Sequence, residues 1–165
     1  MGIIISLAVV FFISFMLIFK LVYSGNKDEP ENEKLSFFGV IFVVFSLALL
    51  PTGAVAVVLF VLVGSTNAIN ILFSLQISTN QVIFLAIAIF IYLFSIDFIV
   101  EIVMKYIVGQ RIVYFFVIML IRILAFYAIG LFIGVIQNNS LIIAVGVSII
   151  IFLFEVLYFL KTKQK

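Results

Sequence analysis

Residues 82–104 read VIFLAIAIFIYLFSIDFIVEIVM, an apolar run whose charges, Asp97 and Glu101, fall near its end. At 1.5 Å of rise per residue, about 20 such residues make a helix that crosses the hydrocarbon core of a bilayer. A barrel strand would alternate apolar and polar residues, and this run does not. An isolated charge near the bilayer centre costs about 2.5–3.5 kcal/mol on insertion scales, so pairing or protonation of the two acids is expected.

Working outward, the same reading finds Ile3–Tyr23, Phe37–Val63 with Pro51 inside it, Ile112–Ile136 and Leu141–Leu160, which makes five spans with Val82–Met104. Composition agrees. The 165 residues are 67% hydrophobic and 10% charged, with 21 Phe, and the mean hydropathy is +1.52. A water-soluble domain of this length could not hide that much apolar surface. The expected fold is all-α, a polytopic membrane helical bundle of five transmembrane helices. Its expected parts are an N-terminal anchor (1–24), a charged cytoplasmic linker (25–36), a four-helix membrane core (37–160) and a basic tail (161–165).

Orientation follows from the cations. Lys20, Lys27 and Lys34 lie at the first connection, Lys105 and Arg111 at the third, and Lys161, Lys163 and Lys165 in the tail. The connections 64–81 and 137–140 carry no charge. The positive-inside rule then places the N-terminus outside and the C-terminus in the cytoplasm. No Lys or Arg precedes the first apolar run, so Ile3–Tyr23 reads as an uncleaved anchor rather than a signal peptide.

Absences bound the chemistry. With no Cys and no His, disulfides, thiolate catalysis, His-based triads and the usual zinc and haem sites are excluded, and no cofactor or metal is expected. A net charge of +2 is too small to indicate nucleic acid. The expected partners are the lipid bilayer and a cytoplasmic or membrane protein; oligomeric state is open. The hydrophilic stretch 25–34 (GNKDEPENEK) reads either as a solvated linker or as a docking site for such a partner. Residues 67–77 (NAINILFSLQI) are apolar but too short to cross, which suits an interfacial or re-entrant segment.

Four ionisable residues sit inside spans: Asp97, Glu101, Arg122 and Glu155. From the helix ends, Asp97 lies about 22 Å and Glu155 about 21 Å below the outer surface, and Arg122 about 15 Å from its inner start. Side chains lean toward the N-terminus of their own helix, so Arg122 reaches inward while Asp97 and Glu155 lean outward, into one layer. The expected network has Arg122 bridging Asp97 and Glu155, with Glu101 pairing Lys105 at i+4. It serves either as a polar lock on helix packing or as a proton or ion site. Pro51 with Gly53 is expected to bend the second helix, and Gly130-x-x-x-Gly134 to mark a close-packing edge.

The entry Asn32-Glu33-Lys34-Leu35-Ser36 before a long Phe/Val/Ile helix is followed by the short apolar segment Ile69–Ile77. A third span then ends in Ile96-Asp97-Phe98-Ile99-Val100-Glu101, and the chain closes on Ile151-Phe152-Leu153-Phe154-Glu155-Val156. On these features the stretch from Lys34 to Leu160 resembles the YrvL family of small bacterial membrane regulatory proteins. The resemblance implies negative regulation of the genes of an alternative sigma factor in Gram-positive bacteria, and it carries no catalytic residue. The expected function is therefore a non-enzymatic regulatory protein of the cell membrane. The alternative is a small transporter, channel or immunity-type protein that uses the intramembrane charges.

Overall fold

The computed structural model describes residues 2–109 and 112–163. Arg111 and Lys165, two of the cations that enter the orientation argument, lie outside the described residues. The elements are α1 (Gly2–Asp28), α2 (Phe37–Leu72), α3 (Thr79–Tyr92), a π-helical turn (Leu93–Asp97), α4 (Phe98–Val108), α5 (Ile112–Phe132) and α6 (Gln137–Lys163), with no strand among the described residues. Five helical stretches are long and apolar enough to cross a membrane: Gly2–Asp28, Phe37–Leu72, Thr79–Val108, Val113–Phe132 and Gln137–Thr162. Large apolar side chains stand exposed along every one of them, among them Phe12, Phe60, Phe98, Phe132 and Leu157. Water would penalise that surface and lipid does not, so this is a multi-pass membrane protein.

The helices overrun the apolar runs that announce them. α1 continues through Gly25–Asp28, so only 29–36 remain as the first connection. α2 does not stop at Val63. It passes through Pro51 without interruption and ends at Leu72, which makes residues 67–72 its last turns rather than part of a separate short segment. Thr52 Oγ1 donates to Ala48 O at 2.8 Å in the turn where Pro51 supplies no N–H. Nothing in Gly64–Asn67 forces a stop, because none of these residues lacks a backbone donor. Similarly, 137–140 is the first turn of α6, not a loop.

The chain divides into two compact units, one up to Leu59 and one from Phe60 onward, with the division inside α2. In the first unit Asn26 accepts from Leu35 N at 2.8 Å and donates to Leu35 O at 3.0 Å, closing the connection between α1 and α2. Lys34 N and Glu33 N both donate to Pro30 O, so the hydrophilic stretch is a clipped turn. Phe11, Phe15, Phe19 and Tyr23, spaced one turn apart, stack along α1 with centroids 5.5–6.2 Å apart, and Lys27 Nζ lies 4.7 Å from the Tyr23 ring centre.

In the second unit α5 and α6 form a tight antiparallel hairpin. Its turn is a Schellman motif: Val135 N donates to Gly130 O and Gly134 N to Leu131 O, with Gly134 at φ 82°. The same arrangement ends α2. There Leu75 N donates to Asn70 O and Ser74 N to Ile71 O, with Ser74 at φ 49°. Asn70 then accepts from Ile77 N and donates to Ile77 O, both at 3.1 Å, and Asn139 Nδ2 donates to Leu75 O at 2.8 Å. α3 opens with a capping box between Ser78 and Gln81. The buried side chains of this unit include Leu85, Ala86, Ile89, Ile118, Phe126, Ile143, Ala144 and Val147.

Candidate functional site

The second unit brings all four intramembrane charges together. Arg122 sits mid-way along α5 and is 2% exposed. Its Nε and Nη2 grip Asp97 on one edge, at 3.0 Å and 2.6 Å to Oδ2. Nη2 also reaches Glu101 Oε1 at 2.7 Å, and Nη1 reaches Glu155 Oε1 at 2.6 Å. One guanidinium therefore joins α5 to α6, to the last residue of the π-helical turn and to α4. A planar fork with five donors can do this; a lysine ammonium could not take Asp97 along an edge and two further acids at once.

The partner of Glu101 is a correction. Glu101 pairs with Arg122, and no ion pair among the described residues involves Lys105. Glu101 follows Asp97 by one α-turn and shares its face, so it meets the same guanidinium; that face is set by the π-helical turn at Leu93–Asp97, which holds one residue more than an α-turn. In an unbroken α-helix Glu101 would stand roughly 120° from the mean direction of the buried Val82, Leu85, Ala86, Ile89 and Tyr92. The extra residue turns α4 back by about 100°, which carries Glu101 onto the face that meets α5. Ser95 Oγ donates to Ile91 O within this wide turn.

The glycine pair also needs correction. Gly130 packs closely: a Cβ there would overlap Ser140 Oγ on α6, whose hydroxyl donates to Tyr127 O at 2.9 Å. Gly134 lies beyond the end of α5, has no atom within 4 Å of where a Cβ would sit, and serves the positive-φ turn instead. The close-packing partner that sequence spacing does not reveal is Gly146, where a Cβ would come within 2.6 Å of Ile69 Cδ1.

Burial grades the site. Asp97 and Arg122 are both 2% exposed, but the side chains of Glu101 and Glu155 are 39% and 28% exposed. Both glutamates line a cavity of about 620 Å³ between α4, α5 and α6, together with Lys105, Tyr114, Phe115 and Tyr158. On the other side of the cluster Tyr92 lies beside Asp97 and meets the Phe126 ring edge-on at 5.7 Å. Sequence reading missed Tyr92, whose spacing of five from Asp97 becomes one turn only because the helix widens there. Two buried hydroxyls, Thr66 and Ser148, have no hydrogen-bond partner among the described residues. Ser148 lies on the Glu155 face, two turns away.

Among the described residues no group of three acidic side chains is arranged to hold a metal ion. The acids are instead directed at the guanidinium, an arrangement that can fix helix packing or exchange ionic partners but supplies no paired nucleophile and base. Compared with family models, with curated proteins and with solved structures, the chain shows no significant match to any of them.

Proposed function

We propose that this is a non-enzymatic regulatory protein of the cell membrane, in which events at the basic face change the packing of α4, α5 and α6. The observation that carries this reading is the single Arg122 side chain holding three acids, two of which are accessible from a cavity. A competitor for either glutamate loosens a helix contact without unfolding the protein. The resemblance to the YrvL family supports a finer reading, negative regulation of the genes of an alternative sigma factor. With the N-terminus outside, the connection at 29–36 and the ends of α4 and α6 that carry Lys105 and Lys161 face the cytoplasm and offer the contact surface for a soluble partner.

Crosslinking and co-purification from native membranes test this. A partner is expected with the intact chain and not with a variant in which Asp28, Glu29, Glu31 and Glu33 are changed to their amides, which leaves the Asn26 clip intact. Equal recovery with both proteins would refute the role of the first connection. A small transporter, channel or immunity-type protein is the second reading, favoured by the exposure of Glu101 and Glu155 to the cavity. It requires Glu155→Gln to alter flux or toxin protection at unchanged membrane abundance.

A further inference from the structure

We propose that the cavity beside Arg122 binds a monovalent organic cation, an ammonium group carried on a compact apolar or aromatic body. Its volume of about 620 Å³ lies within the range of small-molecule sites. Its lining combines two acids, Glu101 and Glu155, with Lys105 and the aromatic side chains of Tyr114, Phe115 and Tyr158.

Charge selects the occupant. Asp97, Glu101 and Glu155 are three carboxylates around one guanidinium. Even with Lys105 counted, one formal negative charge is left over in a setting where excess charge is costly. A monocation removes that excess. Arg122 engages Oε1 of each glutamate, while both side chains remain open to the cavity. An ammonium there meets two carboxylates among aromatic side chains, the combination that favours ammonium recognition. A phospholipid headgroup fits less well, because its phosphate enters with the ammonium and leaves the excess uncompensated. A bare metal ion lacks a ligand set, since no acidic trio among the described residues is arranged for one. The site is independent of any role in transcription.

The full-length protein in phosphatidylcholine nanodiscs, titrated calorimetrically with tryptammonium, tests the proposal. Saturable binding is expected, with none for the neutral isostere 3-propylindole. Glu155→Gln is expected to weaken binding by about tenfold, the loss of one nearby charge at partly screened range. Tyr158→Leu, which leaves the Arg122 network untouched, is expected to weaken it by about threefold through the lost aromatic face. Lys105→Gln is expected to tighten binding several-fold, a gain that a purely structural role for these residues would not produce. Equal uptake of tryptammonium and 3-propylindole would overturn the proposal, as would tryptammonium affinity unchanged in both Tyr158→Leu and Lys105→Gln. Loss of tryptammonium binding when phosphatidylethanolamine is added to the discs would assign the site to a lipid headgroup and overturn the free-cation reading.

Discussion

The two ends of the second unit are held by different means. At one end, where α2, α3 and the α5–α6 hairpin turn, the bonds are neutral and many: Asn70 to Ile77, Asn139 to Leu75, Gln81 to Gly134 O and Ser140 to Tyr127. Further along, at the level of Asp97, Glu101 and Glu155, every ion pair among the described residues converges on Arg122. A neutral hydrogen bond contributes about 1 kcal/mol and its loss is local. A buried ion network concentrates the risk, because one deletion strands every remaining charge. The amide-bonded end tolerates damage; the ionic layer does not.

The sharpest test of this contrast is Arg122→Leu. It leaves three acids without their cation, and a loss of about 3–5 kcal/mol is expected, read as lower membrane abundance and a lower melting temperature in detergent. Arg122→Lys should recover only part of this, because an ammonium cannot bind Asp97 along an edge. Wild-type stability in Arg122→Leu would remove the distinction between the two ends. Gly130→Ala comes next. The new methyl meets Ser140, and a loss of about 1–3 kcal/mol is expected from overpacking, relieved when Ser140→Gly is added. Thermal melts of the single and double variants measure the coupling. The smallest effects belong to Asn70→Ala and Asn139→Ala, about 1 kcal/mol each and near additive with Arg122 variants, since the sites lie far apart. Strong coupling between Asn139→Ala and Arg122→Leu would show that the two ends act as one structure.

Much of this is legible in the sequence. Continuous apolar runs mark helices that lipid requires, and buried charge is too costly to leave unpaired, so the chain alone matches Arg122 with Asp97 and Glu155. Other features leave no such trace. α2 runs on to Leu72 and stops in a turn with Ser74 at positive φ, closed by Asn70 bonding to Ile77, where no glycine or proline marks the end. Gly134 looks like half of a packing motif because spacing alone does not tell a helix interior from the turn after it. Glu101 is matched to the wrong cation because Lys105 stands one turn away on the same helix, and the cavity is a property of three helix faces that only the fold brings together.

The wide turn at Leu93–Asp97 has a consequence for how this chain can change length. A turn of this kind is what one extra residue inside a helix produces, and it returns the helix beyond it on the face it would otherwise have kept. Removing a single residue between Leu93 and Ser95 would turn it into an ordinary α-turn and leave Glu101 on the side of Arg122. Forcing an α-turn at full length would instead wind α4 forward by about 100° and carry Glu101 away from the guanidinium. At this point in the molecule the chain can lose a residue without losing its register.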